Sequence, residues 1–184
     1  PLPSVLLINF IMTTFWFFGI HGANMVGVVT TPITTAALAA NMEAYTAGAP
    51  MEYIFAGSVN SVFGNWITYN AILMVIFTVC RSSQLKSVAK IAIVPSIFNI
   101  NEPSIFGIPT VLNVYTYIPL LICSMINFSS YYLLASAGIL GKFCMSLPFT
   151  VPGPLAAALA SMDIKTVFLW AGLLVVDYFI AMPF

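Results

Sequence analysis

The sequence contains very little charge. Of its 184 residues only 5% are charged, with five Lys and Arg against five Asp and Glu, while 61% are hydrophobic and the mean hydropathy is +1.04. So few charged side chains cannot cover the surface of a soluble globular domain. Five basic residues are also too few for a nucleic-acid-binding patch, so no nucleic-acid partner is expected. The composition predicts a protein that lies in a lipid bilayer.

Cysteines and targeting signals are scarce as well. Cys80, Cys123 and Cys144 fit neither the spacing of metal ligands nor a CxxC motif, so we expect buried thiols and no metal site. No nucleotide-binding loop is visible, and no cofactor is expected. The first residues lack a basic stretch followed by a cleavage site, which argues against a signal peptide. Because the chain starts at Pro1, we expect it to be part of a longer protein.

Long apolar stretches dominate the remainder of the sequence. A membrane-spanning helix needs about 20 mostly apolar residues. Four stretches are predicted to span the bilayer, namely residues 2–18, 66–80 with their flanks, 114–137 and 166–184. Three more apolar segments are interrupted by Gly, Pro and polar residues, namely 19–40, 91–113 and 148–160. The predicted fold class is therefore an all-α membrane protein with transmembrane helices and re-entrant hairpins broken at Gly or Pro.

The segment 91–113 carries an acid, Glu102, in its middle. An ionised acid at bilayer depth costs about 2.5 to 3.5 kcal/mol, so such residues usually line a cavity or a substrate path. Proline disfavours the helical conformation of the residue before it and suits the first turn of a helix. One half-helix should thus end near Glu102 and another begin near Pro103. Since irregular backbone at this depth must face protein or water, a re-entrant hairpin is predicted, with Asn99 and Asn101 offering amides to a cavity.

The segment 19–40 has a comparable interruption at His21. Gly19 and Gly22 flank it and permit a tight turn. Paired Gly- or Pro-interrupted segments are the best indication in a sequence of a transporter's binding site, so His21 and Glu102 are expected to meet across one pocket. From residue type alone, two alternatives stay open: a packing role for His21 between helices and a protonated structural Glu102. Asp177, close to the end of the chain, is interpreted as structural.

Basic residues indicate the orientation. Arg81, Lys86 and Lys90 are predicted to lie in one short loop after an apolar span, and the positive-inside rule places such a loop in the cytoplasm. The loop 41–65 contains acids but no Lys or Arg, which leaves its side open.

Three motifs in the same order resemble a known family. They are WFFGIHG at residues 16–22, PSIFNINEPSIFGIP at residues 95–109 and PFTVPGP at residues 148–154. They are similar to motifs in the membrane IIC component, or permease, of sugar phosphotransferase systems of the lactose, cellobiose and chitobiose branch. The resemblance covers most of this chain and corresponds to the substrate-binding C-terminal half of such a protein. Residues 1–184 are therefore expected to be a single membrane-embedded domain from a longer IIC protein.

The resemblance also implies roles for individual residues. Glu102 matches the acid that contacts the sugar hydroxyl to be phosphorylated, and His21 matches its partner, so these two are the candidate catalytic residues. The candidate substrate-binding residues are Asn101, Asn99, Asn24, Trp16, Gly22 and Thr150. Two departures bear on specificity: Phe149 stands where a tryptophan is expected, and Trp66 lies in a step, residues 62–68, that is often rich in small residues.

The implied function is group translocation. A disaccharide would cross the bacterial inner membrane and be phosphorylated by a cytoplasmic IIB component, whose phosphocysteine is the donor, so this chain would supply only part of an enzyme. The full-length protein is expected to be a homodimer. One alternative is a proton-coupled secondary sugar transporter that performs no chemistry and uses Glu102 for coupling. Another is a scaffold that binds sugar but does not transport it.

Overall fold

The computed structural model describes residues 2–184, which form nine α-helices and no strand. This confirms the all-α fold class. In chain order the helices are α1 (Leu2–Phe17), α2 (Gly22–Thr46), α3 (Val59–Phe63), α4 (Asn65–Thr78), α5 (Ser83–Ile97), α6 (Glu102–Gly107), α7 (Val114–Ser136), α8 (Gly153–Ser161) and α9 (Lys165–Ala181).

Three helical stretches are long and apolar enough to cross a membrane: α2 with 25 residues, α3 and α4 together with 20, and α7 with 23. The last two correspond to the spans predicted around residues 66–80 and 114–137, and end at Thr78 and Ser136. The helices at the other two predicted spans lie close to the predicted bounds, with 16 residues in α1 and 17 in α9, and are shorter than the roughly 20 residues of a typical spanning helix. Many large apolar side chains of α2 point away from the protein, including Val28 with 78% of its surface exposed. Such a surface suits a bilayer, and the chain is a membrane protein.

The interruption predicted around His21 is present, between the end of α1 at Phe17 and the start of α2 at Gly22, but the rest of the segment 19–40 is not broken. Only a short turn before His21 departs from the helix, and α2 then continues without a break past Pro32. Pro32 has no N–H and so leaves the Val28 carbonyl without its usual helical donor, yet the helix continues. In α2 the Thr30 hydroxyl donates to the Val26 carbonyl at 3.2 Å, and the Thr34 hydroxyl donates to the Thr31 carbonyl at 3.2 Å.

The basic residues are also placed differently from the prediction. Lys86 and Lys90 lie on α5, and only a short connection containing Arg81 separates α4 from that helix. The helix begins early because Ser82 caps it: its hydroxyl accepts the backbone N–H of Leu85 at 3.3 Å. Serine in this position satisfies a backbone donor that the first helical turn would leave unpaired.

The other two interrupted segments are present. Helix α6 begins at Glu102 with Pro103 in its first turn, as predicted, whereas α5 already ends at Ile97 and not near Glu102. Helix α5 ends earlier because residues 98–101 form the turn that leads into α6. In this turn Asn99 adopts the left-handed conformation, with a φ of 61°. Asparagine adopts this conformation more readily than most residues do. In the third segment, an irregular stretch precedes α8.

Two hydrophobic clusters hold the helices together. The first contains Phe63, Tyr131 and Phe143, with the rings of Phe63 and Tyr131 stacked at a centroid distance of 4.4 Å. The second contains Trp16 and Ile105 and therefore packs directly behind the two candidate catalytic residues. Buried aromatic pairs of this kind add to the stabilisation that comes from apolar area alone.

The loops on either side of α3 and α4 lie at opposite ends of the molecule. Residues 47–58 precede this membrane-crossing stretch and Arg81 follows it. The buried Asn41 amide donates to the carbonyls of Tyr53 at 2.6 Å and Phe143 at 2.8 Å, and Lys142 donates to the Met51 carbonyl at 2.7 Å. The stretch after α7 therefore lies at the same end as residues 47–58.

Candidate functional site

His21 and Glu102 come together although they lie far apart in the sequence. The imidazole Nε2 and the carboxylate Oε1 are 3.7 Å apart, and within residues 2–184 no other basic side chain lies within 4.0 Å of an acidic one. Both side chains are partly open, with 39% and 45% of their surface exposed. His21 precedes the first turn of α2, and Glu102 is the first residue of α6. Two helix starts thus present an acid and an imidazole to one open region.

The imidazole of His21 is oriented by its neighbours. Its Nδ1 accepts the backbone N–H of Asn24 at 3.2 Å, as an N-cap does, and the ring packs against Trp16 with a centroid distance of 4.4 Å. Because Nδ1 is an acceptor, the proton of a neutral imidazole lies on Nε2, the atom that faces Glu102. The site therefore directs an N–H donor and a carboxylate toward the same place.

Gly22 allows α2 to start close to α1. A Cβ atom at this position would stand 2.1 Å from the Met12 carbonyl oxygen and 3.1 Å from the Trp16 ring. Only glycine fits this approach without a backbone shift. The structure therefore gives Gly22 a definite role in placing His21 beside Trp16, and any contact with substrate remains a prediction.

Asn99 joins the two re-entrant segments. Its side-chain amide donates to the carbonyls of Phe149 at 2.8 Å and Val151 at 2.7 Å, and the residue is almost fully buried. Thr150, a candidate substrate-binding residue, lies between the two accepting residues. Phe149 itself points outward with 61% of its surface exposed. These two hydrogen bonds, called the Asn99 clasp below, set the position of Thr150 relative to Glu102. Glu102 lies three residues after Asn99 in the sequence.

The other candidate substrate-binding residues lie at different depths. Asn101 is fully buried beneath Glu102, and its Oδ1 accepts the hydroxyl of Ser96. Its Nδ2 has no hydrogen-bond partner within the described part of the chain. Asn24 is exposed on the first turn of α2. The ring of Trp16 is buried and packs against His21, so it forms the wall behind the imidazole.

Sequence analysis missed a polar lining beside Trp16. A small cavity of about 40 Å³ there is lined by Asn60, Ser61, Asn65 and Trp66 among others. The one feature of the sequence that pointed to this lining was Trp66, a large side chain in a segment, residues 62–68, where small residues are common in the family that the sequence resembles. A much larger cavity of about 740 Å³ lies near Ile33, Glu52 and Tyr132 and is lined by neither His21 nor Glu102. The candidate site is the pair of His21 and Glu102, because an imidazole and a carboxylate can transfer protons, whereas the lining of the larger cavity is mostly apolar.

The pair has the chemistry of a site that acts on a hydroxyl group. A carboxylate orients an alcohol and accepts its proton, while an adjacent imidazole donates a hydrogen bond or, when protonated, offsets negative charge. Within residues 2–184 no group of three or more His, Cys, Asp or Glu is arranged to hold a metal ion.

Comparisons with known proteins agree with this arrangement. Residues 1–124 match the family described as "Phosphotransferase system, EIIC". The chain is 34% identical over 177 residues to the PTS system lactose-specific EIICB component of Lacticaseibacillus casei, covering 94% of this chain and 31% of that protein. It is 35% identical over 153 residues to the lichenan permease IIC component of Bacillus subtilis, covering 79% of this chain and 33% of that protein.

A solved structure is also similar throughout. The transporter ChbC, the IIC component of the N,N'-diacetylchitobiose-specific phosphotransferase system, superposes with a TM-score of 0.95 at 26% identity, covering 100% of this chain and 44% of ChbC. The chain spans about a third of the length of the two curated relatives and less than half of ChbC.

Proposed function

This chain belongs to the phosphotransferase-system EIIC family, and from that premise we propose that it is the sugar-binding domain of a longer permease. The permease carries a disaccharide of the lactose, cellobiose or chitobiose type across the bacterial inner membrane. The relatives support this substrate class, because they include a lactose-specific protein and a component of a diacetylchitobiose-specific system. The phosphoryl donor is a phosphocysteine on a IIB component, which lies outside this chain.

The observation that carries the proposal is the contact between His21 and Glu102. Phosphoryl transfer to an alcohol depends mainly on positioning and on stabilising charge. Glu102 orients the sugar hydroxyl and accepts its proton as the oxygen forms a bond to phosphorus. The bond from phosphorus to the cysteine sulfur breaks at the same time, and its electron pair leaves with the thiolate. His21 stabilises the charge through Nε2.

The remaining candidates fit around this pair. Asn24 lies next to it and is free to bond ring hydroxyls, while Trp16 forms the wall behind it. Asn99, Asn101 and Thr150 belong to the hairpin tips that would enclose the sugar, and Gly22 holds the imidazole in place. With Phe149 in place of the tryptophan expected there, the contact to a sugar ring at this edge is made by a smaller aromatic side chain.

Several features belong to the whole permease. We propose that it is a homodimer, that lipid covers its apolar helix faces, and that IIB binds on the cytoplasmic side where Arg81, Lys86 and Lys90 lie. Neither the geometry nor the relatives supports a proton-coupled carrier that releases unmodified sugar.

The test is uptake of radiolabelled cellobiose or chitobiose by cells that express the full-length parent protein with its IIB partner. We expect phosphorylated label inside the cells, and a fall of about 10²- to 10⁴-fold in Glu102→Gln, which removes the base but keeps the shape. Glu43→Gln, at an exposed acid near the end of α2, is the matched control and should transport normally.

Each outcome has a clear meaning. Normal phosphorylation in Glu102→Gln would remove this residue from the mechanism. Accumulation of free sugar that depends on the proton gradient would replace group translocation by a proton-coupled carrier. Sugar binding without any transport would favour the scaffold.

A further inference from the structure

A second acid lies deep in the helix bundle, away from His21 and Glu102. Asp177 on α9 is fully buried, with 0% of its surface exposed. Its Oδ2 accepts the Thr68 hydroxyl of α4 at 2.8 Å and the Asn127 Nδ2 of α7 at 2.9 Å. Thr68 and Asn127 are themselves fully buried. Three helices therefore meet at one carboxyl group that the proposed sugar chemistry does not use.

Within residues 2–184 no Lys, Arg or His side chain lies within 4.0 Å of this carboxyl group. The helices that pack closely against α9 are α4, α7 and α8, and none of them contains Lys, Arg or His. Their titratable residues are Tyr69 on α4, and Cys123 and four tyrosines on α7. Lys165 on α9 itself is 12 residues away, about 18 Å along the helix. A buried carboxylate without a counter-charge is strongly disfavoured, so this group needs a positive ligand.

The unpaired oxygens at this junction indicate which ligand it is. Asp177 Oδ1 and Asn127 Oδ1 are both buried and accept no N–H or O–H donor within residues 2–184, and the Cys123 thiol, which also faces Asp177, is only a weak donor. The two oxygens belong to the two groups that the bond from Asn127 Nδ2 to Asp177 Oδ2 already joins. One proton on Asp177 Oδ1, donated to Asn127 Oδ1, would satisfy both oxygens at once. The acid and the amide would then form a ring closed by two hydrogen bonds.

We propose that Asp177 is a proton-binding site, and that it holds a neutral carboxylic acid at neutral pH, paired with Asn127 and accepting from Thr68. A metal cation is a poor occupant by comparison. Hard cations take six or more oxygen ligands, and this junction offers two unpaired oxygens and one hydroxyl. The bound proton joins α4, α7 and α9, and this role is independent of the proposed sugar chemistry.

Infrared spectroscopy of the purified full-length protein tests the proposal. A protonated carboxyl group gives a C=O band well separated from carboxylate bands, and this band shifts on hydrogen–deuterium exchange. We expect such a band at neutral pH, and its loss in Asp177→Asn. Asp163→Asn and Glu102→Gln are matched controls that should retain it. A spectrum of the protonated-carboxyl region that is the same with and without Asp177 would overturn the proposal.

Two further measurements cover the case in which Asp177→Asn does not fold and the case in which a cation occupies the site. If Asp177→Asn does not fold, protein labelled with ¹³C in the aspartate carboxyl groups reports the same band without a substitution: the band must shift with the label, and a band that stays in place overturns the proposal. Unfolding temperature is also measured with and without added sodium. A rise with sodium in the unsubstituted protein that is absent in Asp177→Asn would assign a cation to the site and would overturn the proton.

Discussion

Asn99 connects the two re-entrant segments through a single side chain. Its backbone is left-handed at a φ of 61°, and both amide hydrogens are used on carbonyls of the other segment. Each such bond contributes about 0.5–1.5 kcal/mol net, and an unpaired buried group costs about 1–3 kcal/mol. The sequence predicted Asn99 as a residue that binds the sugar. The geometry adds a second role, because Asn99 sets how Thr150 lies relative to Glu102.

The clasp can be tested at Asn99 itself. In Asn99→Gly the turn persists because glycine adopts a positive φ, but the two carbonyls lose their donor. We expect a loss of about 1–3 kcal/mol in the free energy of unfolding and weaker sugar binding. Asn99→Asp keeps the size and the turn but cannot donate, so it should be at least as impaired. Denaturant unfolding and sugar titration measure both effects. An aspartate variant equal to the unsubstituted protein would mean that the two carbonyls do not need the amide.

At the level of helices, α5 and α6 form the hairpin that carries Glu102. The two pack closely because Gly107 lacks a side chain where Val88 of α5 approaches: a Cβ atom there would stand 2.6 Å from Val88 Cγ1. Valine is stiff at χ1 and cannot move aside easily. The position of Glu102 therefore depends on a contact five residues further along the chain.

Gly107→Ala should push α6 away from α5. Overpacking of this kind costs about 1–3 kcal/mol, and we expect lower stability together with slower sugar phosphorylation. Adding Val88→Ala should restore part of both, because it removes the atom that clashes. Gly172→Ala on α9 is the matched control, since nothing lies within 4 Å of its Cβ, and it should be neutral or gain up to about 1 kcal/mol. A Gly107→Ala variant as stable and active as the unsubstituted protein would contradict the close contact.

Across the whole molecule, the membrane-crossing stretch of α3 and α4 assigns its two flanking loops to opposite sides. The loop 47–58 lies at one end with Lys142, and Arg81 and the start of α5 lie at the other. If the basic end faces the cytoplasm, the loop 47–58 faces the other side of the membrane.

Cysteine labelling tests this orientation. Gln84→Cys at the start of α5 and Ala49→Cys in the loop are both exposed positions. We expect a membrane-impermeant maleimide to label Gln84→Cys only from the cytoplasmic side and Ala49→Cys only from the other side. The unsubstituted chain is the control, because Cys123 and Cys144 are buried and Cys80 is half-buried. Labelling of both positions from one side would contradict the crossing by α3 and α4.

Local signals in the sequence predicted much of this protein. Composition indicated the membrane, Pro103 predicted where α6 begins, and Glu102 and His21 stood out because ionisable groups are costly in apolar segments. The sequence also indicated a continuous span for α7. Each of these conclusions depends on a residue and its immediate neighbours, which is the range over which composition, helix periodicity and proline act.

The tertiary structure decided what depends on contacts between distant residues. Two local features were also missed in the sequence: α2 continues past Pro32, and Lys86 and Lys90 belong to a helix that Ser82 caps. The clasp from Asn99 to the second hairpin and the junction at Asp177 join residues 50 or more positions apart. Hydrogen bonds of this kind require particular distances and directions, and these exist only once the helices have packed.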